Sequence, residues 1–405
     1  MGNALLEGLR VLDLSRVLAG PWCTQLLADL GAEVVKVERP GVGDDTRHWG
    51  PPWHEYDGHK VAAYFLSANR GKKSAAIDFA REEGAALVRR LALQSDVVVE
   101  NFKVGGLAKF GLDAASLRTA KSELIVASIT GFGQDGPDAA RAGYDFMIQA
   151  QGGLMSITGR PDGEPGGGPM RVGVAVADLF TGMYTTVAIL AALHRREKSG
   201  EGSHIDMALF DTQLAVLANQ MSNALVSGQD PPRQGNTHPN IVPYQPFEAA
   251  DKPLVIAVGN DRQFVRLAEL CGHAEWAADA RFATNAARVA NRGEIVARIA
   301  EVIARKPAAD WFHQLDSAGI PAGPINSVTE ALAEVQAQHR HVLRAMSGGA
   351  LGEVKTVGSP VRIDGERCDS DLPPPALGEH TGEVLQGLGL AEADLADLRS
   401  RHIVG

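Results

Sequence analysis

Residues 9–40, LRVLDLSRVLAGPWCTQLLADLGAEVVKVERP, decide the fold. The apolar run 9–14 predicts a strand, and WCTQLLADLGA (22–32) predicts a short amphipathic helix ended by Gly31. EVVKVE (33–38) then predicts a second strand. Strand, helix and strand in succession are the pattern of a parallel crossover unit. The pattern continues outward, with a helix over 82–94, strands at DVVVE (96–100) and ELIVASI (123–129), and a long helix over 180–198. HIDMALF (204–210) predicts a further strand, and a helix follows from Asp211. Near-continuous β-branched runs separated by helices imply an α/β fold, a mainly parallel sheet covered by helices on both faces.

Character changes after Ser227. GQDPPRQGNTHPNIVPYQPF (228–247) is rich in Pro, Gly, Asn and Gln and predicts a linker with an ordered loop. One strand (LVIAV) and several helices over 253–335 predict a smaller, mostly helical α+β domain. The expected organisation is therefore a large domain beginning with 1–225, a small domain with its linkers over 226–335, and a C-terminal segment 336–405.

Composition bounds the function. A chain of 405 residues supports two domains. Its formal net charge of -10 argues against nucleic acid as a partner, while a local basic pocket remains free to hold an anionic ligand. Three cysteines, Cys23, Cys271 and Cys368, have no metal-like spacing and suit a reducing, cytoplasmic setting. The start MGNALLEGLRVLDLS has no signal-peptide design, and Leu6 stands where myristoylation wants Ser or Thr. Apolar runs such as VAILAAL (187–193) are too short to span a bilayer, so no membrane partner is expected.

The familiar catalytic signals are absent. SRVLAGPW after the first strand lacks G-x-G-x-x-G, and there is no P-loop, H-E-x-x-H, C-x-x-C or G-x-S-x-G. No metal is expected. Asp178, in GVAVADLFTGM before the long helix, draws attention instead. One reading is a helix N-cap, whose carboxylate bonds the free amides of the first turn. The other uses the same geometry: a carboxylate aimed outward by a rigid element is a nucleophile for an acyl carbon. Gly152 and Gly153 would let backbone amides approach a ligand and stabilise an oxyanion, or serve as plain turns. Cations recur in VKVERPG, NRGKKS and VENFKVGGLAKFG, namely Arg39, Lys72, Lys73 and Lys109. Loops beside parallel strands are where ligands bind, and a phosphate-bearing ligand would suit them, although any one lysine is more often a solvated loop charge.

The ordered set formed by residues 9–40, NRGKKS, VENF, GFGQDGP, GYDFMIQAQGG, VGVAVADLFTGM, GNTHPNIVPYQPF, GIPAGPIN and PPPALGEHT resembles the class III (CaiB/BaiF-type) coenzyme A transferases, the group that includes formyl-CoA:oxalate CoA-transferase. The resemblance covers nearly the whole chain. It implies a Rossmann-like large domain completed by the C-terminal tail, a small domain between, and a homodimer of interlocked rings. It implies acyl-CoA and a small carboxylic acid as substrates, with no permanently bound cofactor. The family's catalytic aspartate falls on Asp178. Its coenzyme A contacts fall near Val17, Ala19, Arg39, Lys72, Lys73, Asn101, Phe102 and Lys109. The GNTHPNIVPYQ loop is most similar to the branch acting on succinyl and glutaryl groups, and Leu18 stands where the formyl transferase has Gln, which sets oxalate aside.

The same fold hosts α-methylacyl-CoA racemases, which use the His of a GHD motif. This chain reads Gly143–Tyr144–Asp145, and a phenol is a poorer base at neutral pH than an imidazole, which favours transfer. A thioesterase-like hydrolase, disfavoured because no activated serine or cysteine is evident, and a non-catalytic acyl-CoA-binding protein are the remaining alternatives. For the acceptor acid, Arg47 and Arg171 are candidates for a bidentate contact, against the surface ion pair that is the commoner fate of an arginine. His238 is placed either at the mouth of the site or as a loop histidine bonded to backbone.

Overall fold

The computed structural model describes residues 5–405; residues 1–4, at the head of the stretch read for targeting signals, lie outside them. The chain divides into two compact units, one built from residues up to 154, 171–229 and 335–405, the other from 155–170 and 230–334.

The first unit is organised on six parallel strands, β1 (Arg10–Asp13), β2 (Glu33–Glu38), β3 (Lys72–Ala76), β4 (Val97–Glu100), β5 (Ile125–Thr130) and β6 (His204–Ala208). Their spatial order is β3-β2-β1-β4-β5-β6, the doubly wound arrangement in which the winding reverses between β1 and β4. Helices α1 (Ala19–Asp29), α2 (Glu82–Gln94), α3 (Asp145–Gln151), α4 (Val176–Ser199) and α5 (Leu209–Val216) belong to the same unit. One sheet face packs Leu12, Val98 and Val126 against Leu87, Val88 and Leu91 of α2 and against Val384, Leu385 and Leu395 of the C-terminal segment. The other packs Val11, Val97, Val99, Ile125 and Ala127 against α1 and α4. Burial on both faces is why these strands read as unbroken apolar runs.

Helix α4 has an unusual distribution. Its buried face is mostly small residues, Ala177, Thr181, Gly182 and Thr185 among them with Ile189 further along, and Thr181, Thr185 and Thr186 donate to carbonyls one turn back at 2.7, 2.7 and 2.9 Å. A Cβ on Gly182 would stand 2.6 Å from the Ala19 carbonyl oxygen, so only glycine lets α1 and α4 approach this closely. Arg196 and Lys198 in the last turn and Gly200 at φ 71° end the helix as its sequence requires. By length and composition α4 passes as a bilayer-crossing helix, a correction to the reading of 187–193 alone. In the fold it lies against α1, β5 and β6.

Two expectations are corrected here. The helix starts at Val176 rather than 180, which puts Asp178 in its first turn and not at the cap; the cap position is Ala175, with no side-chain bond of its own. NRGKKS does not end as a loop, because Lys72–Ala76 forms β3 beside β2.

The second unit has a three-stranded antiparallel sheet, Tyr244–Glu248, Pro253–Ala257 and Ala322–Pro324, where the sequence pattern predicts one strand. Helices Asp261–Leu270, Arg292–Ile303 and Ala308–Ser317 close over it around Phe264, Ile299 and Trp311. Segment 155–170, expected within 1–225, belongs to this unit: Gly235 N–H donates to the Gly159 carbonyl at 3.1 Å, and Arg233 Nη1 to that of Ser156 at 2.9 Å.

Candidate active site

A crevice opens at the carboxyl ends of the strands, where the winding reverses, as doubly wound sheets require. The loop after β1 supplies Arg16, Val17 and Leu18 and the start of α1 supplies Ala19, while the loop after β4 supplies Asn101, Phe102 and Lys103. Arg141 and Tyr144 come from the segment after β5, and Asp178 comes from the first turn of α4. Together they line a cavity of about 420 Å³, within the range of small-molecule sites. A second cleft of about 410 Å³ shares Arg16, Asp45 and Phe102 with it and contains Arg39.

Asp178 is half-buried and its position is fixed by α3. Asp145 supplies from another helix the cap that α4 lacks: its Oδ2 accepts the Ala177 N–H at 2.9 Å, and the carboxylate also takes the Asp178 backbone N–H. Gln149 Nε2 donates to Asp145 Oδ1 at 2.7 Å, while Gln149 Oε1 accepts the Val172 N–H at 2.9 Å. The chain entering α4 is thus held at two points by one turn of α3. Burial pushes the Asp178 carboxyl up to about 7, and the neighbouring Asp145 charge adds to the rise. A carboxylate this poorly solvated has lost part of the hydration that dulls a nucleophile, yet ionises near neutral pH. Tyr64 stands within its field. Burial, then the charges of Asp178, Asp145 and Asp44, push the phenol up to about 12, so it remains a hydrogen-bond donor, with its ring edge-on to Trp49 at 5.2 Å.

Val17, Ala19, Asn101 and Phe102 line the cavity with Asp178, and Arg39 lines the adjoining cleft. Lys109 is exposed, with its ammonium 4.7 Å from the Phe110 ring centroid, and borders neither. Lys72 and Lys73 are corrections. The Lys72 side chain is fully buried and its Nζ donates to Asp13 Oδ2, the Pro21 carbonyl and Asn69 Oδ1 at 3.0, 2.9 and 2.9 Å, leaving nothing for a phosphate. Lys73 bridges Glu33 and Glu383, both at 2.8 Å, in a cavity near the amino ends of β1 and β2. The cations that do line the crevice are Arg16, Lys103 and Arg141. Arg16 stood in the opening stretch directly after the first strand, so its place at the reversal was readable. Arg141 and Tyr64 gave no such signal.

Among the acceptor candidates, Arg47 is also corrected. It is buried and held bidentate by Glu38 at 2.8 and 2.7 Å, with Nη1 on the Pro375 carbonyl at 3.1 Å. Arg171 is exposed, lies 5.7 Å from the Phe146 ring centroid and acts electrostatically on Asp145. Tyr144 is exposed at the wall of the cavity. Gly152 and Gly153 do not line it; a Cβ on Gly152 would meet Gln213 Cγ at 2.4 Å, so its smallness serves packing of α3 on α5. His238 lies in the second unit, its N–H on the Tyr244 carbonyl at 3.0 Å and its Nδ1 accepting from Asn240 N–H at 3.1 Å.

Fold and crevice define a class: an α/β protein that takes its ligand at the reversal point of a doubly wound parallel sheet. Within that class the chain belongs to CoA-transferase family III, whose profile it matches over residues 6–381, and it is a transferase enzyme. It is 50% identical over 392 residues to a succinate–glutarate CoA-transferase of Agrobacterium fabrum, covering 96% of each chain. It is 42% identical to a succinyl-CoA:glutarate CoA-transferase of Mus musculus, over 94% of this chain and 86% of that one. Among solved structures it resembles a CaiB/BaiF family protein from Brucella suis, with TM-score 0.85 and 49% identity over 95% of this chain and 100% of that one.

Proposed function

We propose that this enzyme moves coenzyme A from succinyl-CoA, or another dicarboxylic acyl-CoA, to a free dicarboxylic acid of glutarate size, with Asp178 as nucleophile. The observation that carries the reading is the placement of Asp178: a poorly solvated carboxylate on a rigid first turn, in a crevice whose mouth carries Arg16, Lys103 and Arg141. The names of the relatives in Agrobacterium fabrum and Mus musculus supply the substrate class.

In the proposed route an Asp178 oxygen attacks the thioester carbonyl carbon, the C–S bond breaks, and the coenzyme A thiolate leaves a mixed anhydride. The thiolate then attacks the Asp178 acyl carbon, releasing the donor acid as its carboxylate and leaving an aspartyl-CoA thioester. The acceptor carboxylate attacks that thioester, giving a second anhydride and free thiolate. Attack of the thiolate on the acceptor carbonyl yields the new acyl-CoA and restores Asp178. Each step exchanges one activated acyl bond for another, so the thioester energy is kept so long as water stays out. The route calls for no metal and no resident cofactor.

Coenzyme A phosphates are assigned to Arg16, Arg39, Lys103 and Arg141, with Lys109 further out, and Val17, Ala19, Asn101 and Phe102 form the wall. The working form is proposed to be a homodimer. The outer face of α4 carries Phe180, Met183, Tyr184 and Val187 at helical spacing, 40–62% exposed, and Phe146 of α3 is exposed as well. A helix with small residues inside and large apolar residues outside is built to be covered, and a second copy is the proposed cover. The proposed location is cytoplasmic, in keeping with three cysteines that are buried and unpaired.

Incubation with succinyl-CoA followed by hydroxylamine should tag the peptide containing Asp178. Asp178→Ala should abolish transfer while retaining coenzyme A binding. A mutant keeping a tenth of wild-type transfer, or a tag on another carboxylate, sinks the mechanism.

A further inference from the structure

The loop after β1 is held by Asp13 at the end of the strand and by side chains from farther along the chain. Ser15 N–H donates to Asp13 Oδ1 at 2.9 Å, and the Ser15 carbonyl accepts Lys36 Nζ at 2.7 Å. The Asn101 amide grips the Arg16 backbone from both sides, at 2.9 and 2.7 Å. Next to it Val17 has φ 72°, in the left-handed region, where a β-branched residue is strained. What meets that strained peptide is a carboxylate: Val17 N–H points between the two oxygens of Asp44, at 3.2 and 3.3 Å.

Asp44 is itself locked. Its carboxylate pairs with Lys36 Nζ at 2.9 Å, both side chains having no exposure, and accepts Thr46 N–H at 3.0 Å and Thr46 Oγ1 at 2.8 Å. Burial opposes its charge, but Lys36 and the two Thr46 hydrogen bonds together outweigh it and hold the carboxyl below its usual range. Lys36 reaches both Asp44 and the Ser15 carbonyl, so one ammonium ties the start of the loop to the group that holds its strained residue.

We propose that Asp44, braced by Lys36, is a positioning residue for acyl-CoA: it stabilises the left-handed conformation of Val17 and thereby sets Arg16–Ala19 in the wall of the crevice. The inference rests on the reading of that crevice as the acyl-CoA site. Strained backbone of this kind persists where surrounding structure over-determines it, and it clusters at ligand sites. Release of Val17 would let the loop relax, moving the wall without touching Asp178. The effect belongs on acyl-CoA binding and not on the covalent steps.

Asp44→Asn should raise KM for succinyl-CoA at least tenfold, leave kcat within about threefold and leave KM for the acceptor acid unchanged. Glycine adopts positive φ without cost, so in a Val17→Gly background the same Asp44→Asn change should raise KM less than half as much. A general loss of folding would not be relieved by a change at Val17. If Asp44→Asn does not fold, because buried Lys36 loses the carboxylate it pairs with, Asp44→Asn with Lys36→Met removes both charges and is read in the two backgrounds in the same way. Equal KM effects with and without the Val17→Gly change, or a fall in kcat alone, overturn the proposal. Should the wild-type enzyme bind coenzyme A without transferring it, the functional reading fails separately, and the same comparison is made with the Kd for coenzyme A.

Discussion

Asp145 caps the helix on whose first turn Asp178 stands, so the group that orients the nucleophile is also a like charge beside it. The two effects separate experimentally. Asp178 must be ionised to attack, and its carboxyl is pushed up to about 7, chiefly by burial. The kcat/KM for the first half-reaction should therefore rise with pH to about 7 and level off above it. Asp145→Asn keeps an oxygen for the Ala177 N–H but removes the neighbouring charge, which makes ionisation of Asp178 easier. The rising limb should shift to lower pH, with the plateau within about tenfold of wild type. Asp145→Ala removes the cap as well and should lower the plateau further. A limb that stays in place in Asp145→Asn would show that the charge of Asp145 does not reach Asp178.

The cations make a sharper test because three of the four expected ones, Lys72, Lys73 and Lys109, line neither cleft. Arg16→Ala and Arg141→Ala should each raise KM for acyl-CoA about tenfold, the effect of losing roughly 1.5 kcal/mol of charge-assisted contact, with kcat little changed. Lys73→Ala should change neither constant, since its ammonium is engaged by Glu33 and Glu383 near the amino ends of the strands. Steady-state kinetics on the three variants decides. Sensitivity at Lys73 and indifference at Arg16 and Arg141 would place the phosphates away from the crevice.

Much of the sheet was legible, and its physical reason is plain. Val97, Val98 and Val99 are buried on both faces, and parallel strands covered by helices demand such runs. Lys72–Ala76 was illegible for the opposite reason. KKSAA has no β-branched residue, and the charge of its buried Lys72 is tolerable inside because Asp13 of β1 meets it. That partner lies 59 residues away, and no local pattern reports it. Asp178 was legible as a residue but not as a position, because the cap of α4 comes from Asp145, 32 residues before the amide it holds. Arg47 illustrates the limit in charge reading: a guanidinium near a strand end looks free until Glu38 is found beside it.

Gly182 joins stability to function. Alanine there would gain helix propensity of up to about 1 kcal/mol. Against this, its Cβ would meet the Ala19 carbonyl oxygen at 2.6 Å, and backbone must move to admit it. Overpacking of this kind costs about 1–3 kcal/mol, so Gly182→Ala should be net destabilising in urea denaturation. The first turns of α1 and α4 carry Ala19 and Asp178 to the same cavity, so kcat/KM should fall with it. Unchanged or increased stability would mean that α1 and α4 separate freely at this point.

The acceptor preference depends on which arginine remains available. Arg47 is committed to Glu38 and the Pro375 carbonyl, which leaves Arg171, exposed and acting on Asp145 beside the nucleophile. A guanidinium there would hold the far carboxylate of a diacid while the near one faces Asp178. Four- to six-carbon diacids should then outperform monoacids of equal length, and a charge-assisted contact of about 1.5–3 kcal/mol gives roughly tenfold to hundredfold in kcat/KM. Succinate against butyrate and glutarate against valerate, with one fixed donor, measure the ratio. Arg171→Ala should bring that ratio toward one by weakening the diacids and sparing the monoacids. Arg171→Lys should recover only part of it, because an ammonium offers a point charge where a guanidinium offers a fork. A diacid preference that survives Arg171→Ala would assign the far carboxylate to another group and leave the role of Asp178 untouched.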